Sequence, residues 1–253
     1  MQVFEYKFNT NIDKDIKLKI FSFRPDSSKL HLGEILILAE EINYLPTDQN
    51  LLENLAEIIK EEFYSDRNRS SEIAFKESLK KANLFLSERS KSGDVNWLGN
   101  LNIAVLNFGN FLLNYTKAGT IRILLSRSDE LKDLGQDIDN HGMGSTIRFF
   151  SNMSSGRLVL NDKIILCTQQ LFEQLYDDVL PEIIYLNQVN DKNIKNIFSK
   201  YRNDSKNWSG IFILSFLKRK KIQFVFPFRI NKLIVLIILL ILSLLIAFFI
   251  FKR

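Results

Sequence analysis

Cysteine, proline and glycine are all scarce in this 253-residue chain. The single cysteine, Cys167, cannot form an internal disulfide, which excludes a disulfide-stapled secreted scaffold and a zinc site built from several cysteines. There are 10 Gly and 4 Pro, while 46% of the residues are hydrophobic and 25% are charged. This composition excludes collagen-like, low-complexity and disordered chains, and it supplies enough apolar material for a core.

The positive charge of the chain is concentrated at its C-terminal end. The formal net charge is +5, but residues 218–253 contain 8 Lys or Arg and no Asp or Glu. Residues 1–217 therefore carry 26 basic and 29 acidic side chains, a balance of −3. A nucleic-acid-binding domain would need a basic surface, so the sequence predicts no nucleic-acid partner.

One long apolar run occupies residues 233–251. It reads LIVLIILLILSLLIAFFIF, which is 19 residues without charge, Gly or Pro. At about 1.5 Å per residue, a helix of this length crosses a hydrocarbon core of roughly 30 Å. A buried helix of a soluble protein is the alternative, but such a helix normally keeps a polar face. The run therefore predicts a transmembrane helix.

The flanking charges predict how this helix is oriented. Two cations follow the run, and six precede it: Lys218, Arg219, Lys220, Lys221, Arg229 and Lys232. Loops rich in Lys and Arg remain in the cytoplasm, and MQVFEYKFNT lacks the pattern of a signal peptide. We therefore expect a single-pass membrane protein with a cytosolic domain (1–217), a basic juxtamembrane segment (218–232) and an anchor (233–251). The basic cluster also suits anionic lipid headgroups.

Hydrophobic periodicity divides residues 1–217 into clustered strands and paired helices. Residues 15–20 alternate between apolar and lysine side chains, as in a half-buried strand, until Phe21 breaks the pattern. The predicted order is three strands, two helices, about five strands, two helices (170–180 and 191–202) and two strands (208–217 and 222–226). Clustered strands with separate helices favour an α+β domain over alternating βαβ units.

The order and spacing of these segments resemble the metal-dependent PPM-type (type 2C) protein serine/threonine phosphatases over residues 3–217. EILILAEEI is similar to the strand that ends in the family's first Asp-Gly motif, and Ala82-Asn83 to a pair in its second helix. Residues 118–122 resemble a Gly-Asp-Ser-Arg-like corner, and GRLVLNDKIILCTQQLFEQL resembles the segment that leads into Thr-Asp-Gly-Leu. The resemblance implies a four-layer α/β/β/α sandwich of two antiparallel sheets flanked by helix pairs.

The resemblance also identifies the residues that stand in place of the family's metal ligands. Such phosphatases hold two divalent ions with aspartates, and the matching positions are Glu40-Glu41, Gln169-Gln170 and Lys206-Asn207. Compared with three aspartates, Glu40, Gln169 and Lys206 change the local charge from −3 to about 0, which disfavours two divalent cations. We expect the metal chemistry to be lost and no cofactor to bind, with Lys206 able to pair with Glu40 or Glu41 in place of a metal.

Local explanations compete for several of these residues. Neighbouring strand residues point to opposite faces, so Glu40 and Glu41 are not expected to act on one substrate; without the resemblance they predict a solvated strand end. Cys167 lies in an apolar strand and indicates a small core residue, and Asp162 indicates a turn. NHGMGSTIR lacks the lysine and spacing of a P-loop, which predicts a flexible loop.

Three functional hypotheses remain open. The leading one is a catalytically inactive pseudophosphatase, anchored to a membrane, that binds a phosphoprotein or another signalling protein. The second is a divergent but active phosphatase that holds Mn²⁺ or Mg²⁺ with Glu40 and further acids such as Asp204. The third is a structural membrane adaptor without phosphate recognition. Metal binding separates the second from the others, and affinity for phosphopeptides separates the first from the third.

Overall fold

The computed structural model describes residues 2–10, 15–44, 50–139 and 148–216, which belong to one compact unit. The predicted strand 222–226, the juxtamembrane segment 218–232 and the predicted transmembrane helix 233–251 lie outside the described residues, as does most of the NHGMGSTIR loop. Within the described part of the chain, no helix has the length and apolar character needed to cross a membrane.

Two five-stranded antiparallel sheets form the centre of the domain. The strand order of the first sheet is β1 (Gln2–Phe8), β10 (Gly210–Phe216), β9 (Lys163–Cys167), β6 (Arg122–Arg127) and β7 (Glu130–Asp133). The strand order of the second sheet is β2 (Ile16–Phe23), β3 (Glu34–Ile42), β4 (Leu101–Gly109), β5 (Leu112–Ala118) and β8 (Ser154–Arg157). The turn Asn110-Phe111, where both residues have positive φ, joins β4 to β5 as a tight hairpin.

Helices cover the outer face of each sheet. The helices α1 (Leu51–Phe63) and α2 (Ser71–Lys91) pack on the second sheet, and a one-turn helix, α3 (Gln136–Asp139), follows β7. The helices α4 (Gln169–Leu175), α5 (Val179–Ile184) and α6 (Asp191–Lys200) pack on the first sheet. Two 3-10 turns, Ser27–Leu32 and Asp204–Lys206, connect other elements.

Three apolar cores separate the four layers. Leu38 of the second sheet and Leu166 and Ile213 of the first sheet fill the space between the sheets. Their strand neighbours face outwards, since Ile37 packs against α1 and α2, and Ile165 packs against α4, α5 and α6. Helices therefore lie outside two face-to-face sheets, which confirms the predicted α+β sandwich.

Two local predictions are wrong and one strand was not predicted, each for a different physical reason. β2 continues to Phe23 because Phe21 and Phe23 pack against the helix-side core while Ile20 faces the other sheet, so both strand faces are apolar. The single helix predicted over 170–180 is two helices, α4 and α5, and the first sheet therefore carries three helices. Pro181 lies in the first turn of α5 and lacks the N–H that a continuous helix requires there. β7 was not predicted, because ELKD has no apolar alternation.

Candidate functional site

β3 ends near the two glutamates that the resemblance places at the first metal position. Glu40 has the strand parity of Leu38 and faces the space between the sheets, whereas Glu41 has the parity of Ile37 and lies on the helix side. The two side chains therefore point to opposite faces, as predicted. Glu40 is 9% exposed and Glu41 is 2% exposed. The solvated strand end, which was expected only without the resemblance, is not observed, because both residues still pair with β2 and β4.

Asn102, near the start of β4, joins Glu40 to the corner that follows β5. Its Nδ2 donates to Glu40 Oε2 at 2.8 Å, and its Oδ1 accepts from the backbone N–H of Thr120 at 3.0 Å. Gly119 permits this close approach, since its φ is +81° and a Cβ there would lie 2.0 Å from Asn102 Oδ1. Lys117 Nζ donates to the Gly119 carbonyl at 3.2 Å. Side chains of β4 and β5 thus hold the corner in place.

Burial dominates the electrostatics of Glu40. Removal from water raises the pKa of its carboxyl group, and the hydrogen bond from Asn102 opposes this effect in part. The neutral form is therefore favoured relative to a carboxyl group in water.

Arg122 organises a second polar group, on the face of the first sheet that packs against α4. Its Nε donates to Gln169 Oε1 at 2.6 Å, and its Nη1 donates to Asp133 Oδ2 at 2.8 Å. Gln169 Nε2 donates to Glu173 Oε1 at 2.5 Å, and the Arg122 guanidinium lies 5.0 Å from the centre of the Phe172 ring. At the second metal position, the one side-chain oxygen of Gln169 thus accepts from a permanently charged donor.

The remaining matched positions lie at the surface. Gln170 is exposed in the first turn of α4, and Lys206 is exposed in the turn Asp204–Lys206. The Lys206 carbonyl accepts from Asn9 Nδ2 at 2.8 Å. Its ammonium forms no ion pair within the described ranges. Lys206 therefore does not pair with Glu40 or Glu41 in place of a metal, because its side chain is exposed to solvent.

These donors do not fit a two-metal centre. Mg²⁺ and Mn²⁺ select several carboxylate and water oxygens in near-octahedral geometry. Here one carboxylate, that of Glu40, faces the space between the sheets and accepts a hydrogen bond from Asn102. The Gln169 oxygen accepts a hydrogen bond from the Arg122 cation. No group of three or more His, Cys, Asp or Glu side chains in the described residues has an arrangement that could hold a metal ion.

Two residues with local explanations lie where those explanations place them. Cys167 is fully buried in the core between the first sheet and its helices, and burial raises the pKa of its thiol. Asp162 lies in the turn before β9, as predicted, and it is also buried. Its carboxylate accepts two hydrogen bonds from Arg127, from Nε at 3.0 Å and from Nη2 at 2.7 Å. This bidentate pair makes Asp162 structural rather than catalytic.

Sequence reasoning missed two residues of the site. Asn102 interrupts the apolar strand LNIAVLNFG, and a buried polar side chain needs a hydrogen-bond partner. The polar residue in an apolar strand was therefore a sequence signal for a buried hydrogen bond. Asp133 lies at the end of β7, a strand that was itself not predicted. Its pairing with Arg122 gives no periodic signal in the sequence.

Comparison with known proteins identifies the architecture. No family model matches the chain, and no curated protein matches it. Three bacterial structures are similar over most of their length. PppA of Pseudomonas aeruginosa, a key regulatory component of T6SS, is 12% identical, with 84% of this chain and 95% of that chain covered and a TM-score of 0.54.

The other two are serine/threonine phosphatases. PstP/Ppp of Mycobacterium tuberculosis is 11% identical, with 86% and 98% of the chains covered and a TM-score of 0.53. Stp1 of Staphylococcus aureus is 12% identical, with 86% and 94% covered and a TM-score of 0.55. Identities this low establish architecture rather than activity. The described residues have the fold of the PPM-type serine/threonine phosphatases.

Proposed function

We propose that the chain is a membrane-anchored pseudophosphatase, a PPM-fold domain that works by binding a signalling protein and not by hydrolysing phosphate esters. The observation that carries the proposal is the hydrogen bond from Arg122 Nε to Gln169 Oε1. The phosphatase family that this chain resembles has a metal-binding aspartate at this position. Here the position holds Gln169, a neutral amide whose oxygen accepts a hydrogen bond from the Arg122 cation.

Metal binding at this position would have to displace the Arg122 network. A divalent ion beside Gln169 would lie near the guanidinium cation of Arg122, and like charges at short range repel strongly in a partly buried setting. Displacing Arg122 would also remove a hydrogen bond from Asp133. Both effects disfavour the metal relative to the existing arrangement.

The membrane part of the proposal rests on the sequence. The 19-residue apolar run 233–251 matches the thickness of a bilayer, and the excess of cations before it favours a cytoplasmic location for residues 1–217. A binding module held at a membrane surface is suited to signalling. PppA, which has a similar fold, is a regulatory component of its own system.

An active phosphatase is the second candidate, because Glu40 keeps a buried carboxylate that faces the space between the sheets. This candidate needs further acids, and Asp204 is exposed in the turn that contains Lys206. A structural adaptor remains the third candidate.

Hydrolysis of a phosphothreonine peptide by the full chain in detergent, with and without Mn²⁺, tests the proposal. The matched variant is Glu40→Asp/Gln169→Asp/Lys206→Asp. We expect no turnover by the natural chain. Turnover that a chelator abolishes would support the active phosphatase instead. Phosphopeptide affinity without turnover would separate the pseudophosphatase from the adaptor.

Membrane anchoring has its own test. The full chain should remain in the membrane fraction after alkaline extraction, and removal of residues 233–251 should release it. Protease added to the cytoplasmic side should digest residues 1–217. Release of the full chain by alkali would contradict the anchor.

A further inference from the structure

An open groove lies between α2 and residues 148–153, and none of the matched metal positions lines it. Its volume is about 470 Å³. Leu79, Leu84, Phe150 and Met153 provide its apolar surface. Leu84 is 63% exposed, although large apolar side chains on helices usually face a core.

The groove is preformed rather than a gap between loosely held segments. Asn83, on α2, donates from Nδ2 to the Phe150 carbonyl at 3.0 Å and accepts at Oδ1 from the Phe150 N–H at 2.9 Å. The Asn152 carbonyl accepts from Thr116 Oγ1 at 2.5 Å. Both backbone polar groups of Phe150 are therefore satisfied by the helix, which fixes the segment at this distance from α2.

Cations surround the apolar surface, and no Asp or Glu is among the described residues that line the groove. Lys76, Lys80 and Arg148 are exposed at the groove. Lys80 pairs with Glu77 at 2.6 Å, whereas Lys76 and Arg148 form no ion pair within the part of the chain that the structure describes. This positive site is unusual in residues 1–217, where acids outnumber bases by 29 to 26.

We propose that this groove binds an acidic amphipathic segment of a partner protein. One or two large apolar side chains of the segment enter between Leu84 and Met153, and its carboxylates pair with Lys76 and Arg148. Binding buries Leu84 and supplies the missing counter-charges at the same time. Grooves of this kind commonly bind a peptide through a few apolar anchors.

Charge and shape argue against three other occupants. The chain's own segment 218–232 carries six cations and no acid, so it is repelled by Lys76 and Arg148. A bilayer surface is broad and would leave the concave apolar part of the groove uncovered. A nucleic acid would use the cations but not the apolar surface.

Selection from a library of random 12-residue peptides tests the proposal, using the full chain in uncharged detergent. We expect the selected peptides to combine Leu, Ile, Phe or Trp with several Asp or Glu. Affinity is then measured for each peptide by fluorescence anisotropy. It should fall at least tenfold, about 1.4 kcal/mol, in Lys76→Glu/Arg148→Glu and in Leu84→Asp.

Matched controls separate the groove from general charge. Lys192→Glu changes an exposed lysine on α6, and Leu98→Asp changes another exposed leucine; both should leave affinity unchanged. The basic segment 218–232 also attracts acidic peptides. Peptide binding is therefore assigned to the groove only where Lys76→Glu/Arg148→Glu or Leu84→Asp abolishes it. A peptide with Lys in place of its acids should regain affinity for Lys76→Glu/Arg148→Glu.

Three results would overturn the proposal. They are selection of no peptides, selection without enrichment of acids, and peptides that bind the groove variants as well as the natural chain. The groove would be a lipid-binding surface instead if the chain bound no peptide but bound phosphatidylglycerol vesicles in a way that depends on Lys76 and Arg148. None of these outcomes depends on whether the domain hydrolyses phosphate esters.

Discussion

Arg122 and Arg148 lie in the same domain, but only Arg122 has acceptor side chains around its guanidinium group. Arg122 donates to Gln169 and Asp133 and lies over the Phe172 ring. Arg148 is exposed beside an apolar groove and has no ion-pair partner in the described residues. The first arrangement is complete without a ligand and should contribute to stability. The second is completed by a ligand and should contribute to binding.

Removal of the Arg122 side chain should have the largest effect on stability. Arg122→Met leaves Asp133 and the Gln169 oxygen without their donor in a partly buried site, so we expect the free energy of unfolding to fall by about 3 kcal/mol. Thermal and urea unfolding of the full chain, followed by tryptophan fluorescence, measure it. Arg148→Met should leave the free energy of unfolding unchanged. Equal losses in the two variants would remove the distinction between the sites.

Crowding at the Gly119 corner should have the next largest effect. Gly119→Ala places a Cβ against Asn102 Oδ1 at a residue with positive φ, and we expect a loss of about 2 to 3 kcal/mol. Gly99→Ala is the matched control, because Gly99 also has a positive φ but no atom within 4 Å of the added Cβ. It should lose only the backbone cost, about 1 kcal/mol. Similar losses would show that Asn102 does not hold the corner.

Glu40→Gln should increase stability at neutral pH. Burial raises the folded-state pKa of Glu40 above its unfolded value of 4.5, so the folded protein loses stability as pH rises above about that value and the carboxyl group ionises. Glutamine keeps an oxygen for Asn102 Nδ2 and does not ionise. The gain should be largest at neutral pH and should disappear below pH 4.5. A gain that grows towards acid would contradict this sign.

The smallest effect is expected at the groove rim. Lys80 pairs with Glu77 at 2.6 Å on the exposed surface of α2, and such pairs contribute about 0.5 kcal/mol or less. Lys80→Met should therefore change the unfolding midpoint by little, whereas it should lower the affinity of the chain for the selected acidic peptides. A large loss of stability would mean that the rim is structural.

The sequence predicted the layers better than the contacts between them. Clustered strands and separate helices were sufficient to predict an α+β sandwich, and strand parity placed Glu40 and Glu41 on opposite faces. The burial of Glu40 was not predictable, because it depends on β2 and β4, which pair with β3 through residues distant in sequence. Gln169 and Arg122 are likewise 47 positions apart, and no local pattern joins them. Pro181 was a local signal for the break between α4 and α5.

Direct measurement of Mn²⁺ binding tests the central claim, that the side-chain oxygens of Glu40 and Gln169, at two of the matched metal positions, are already hydrogen-bonded to the protein's own side chains. The full chain in detergent is titrated with Mn²⁺ and free ion is followed by electron paramagnetic resonance, beside Glu40→Asp/Gln169→Asp/Lys206→Asp. We predict that the natural chain leaves Mn²⁺ free at concentrations where the variant binds it. Saturable binding of two ions by the natural chain, lost on Gln169→Ala, would contradict the account.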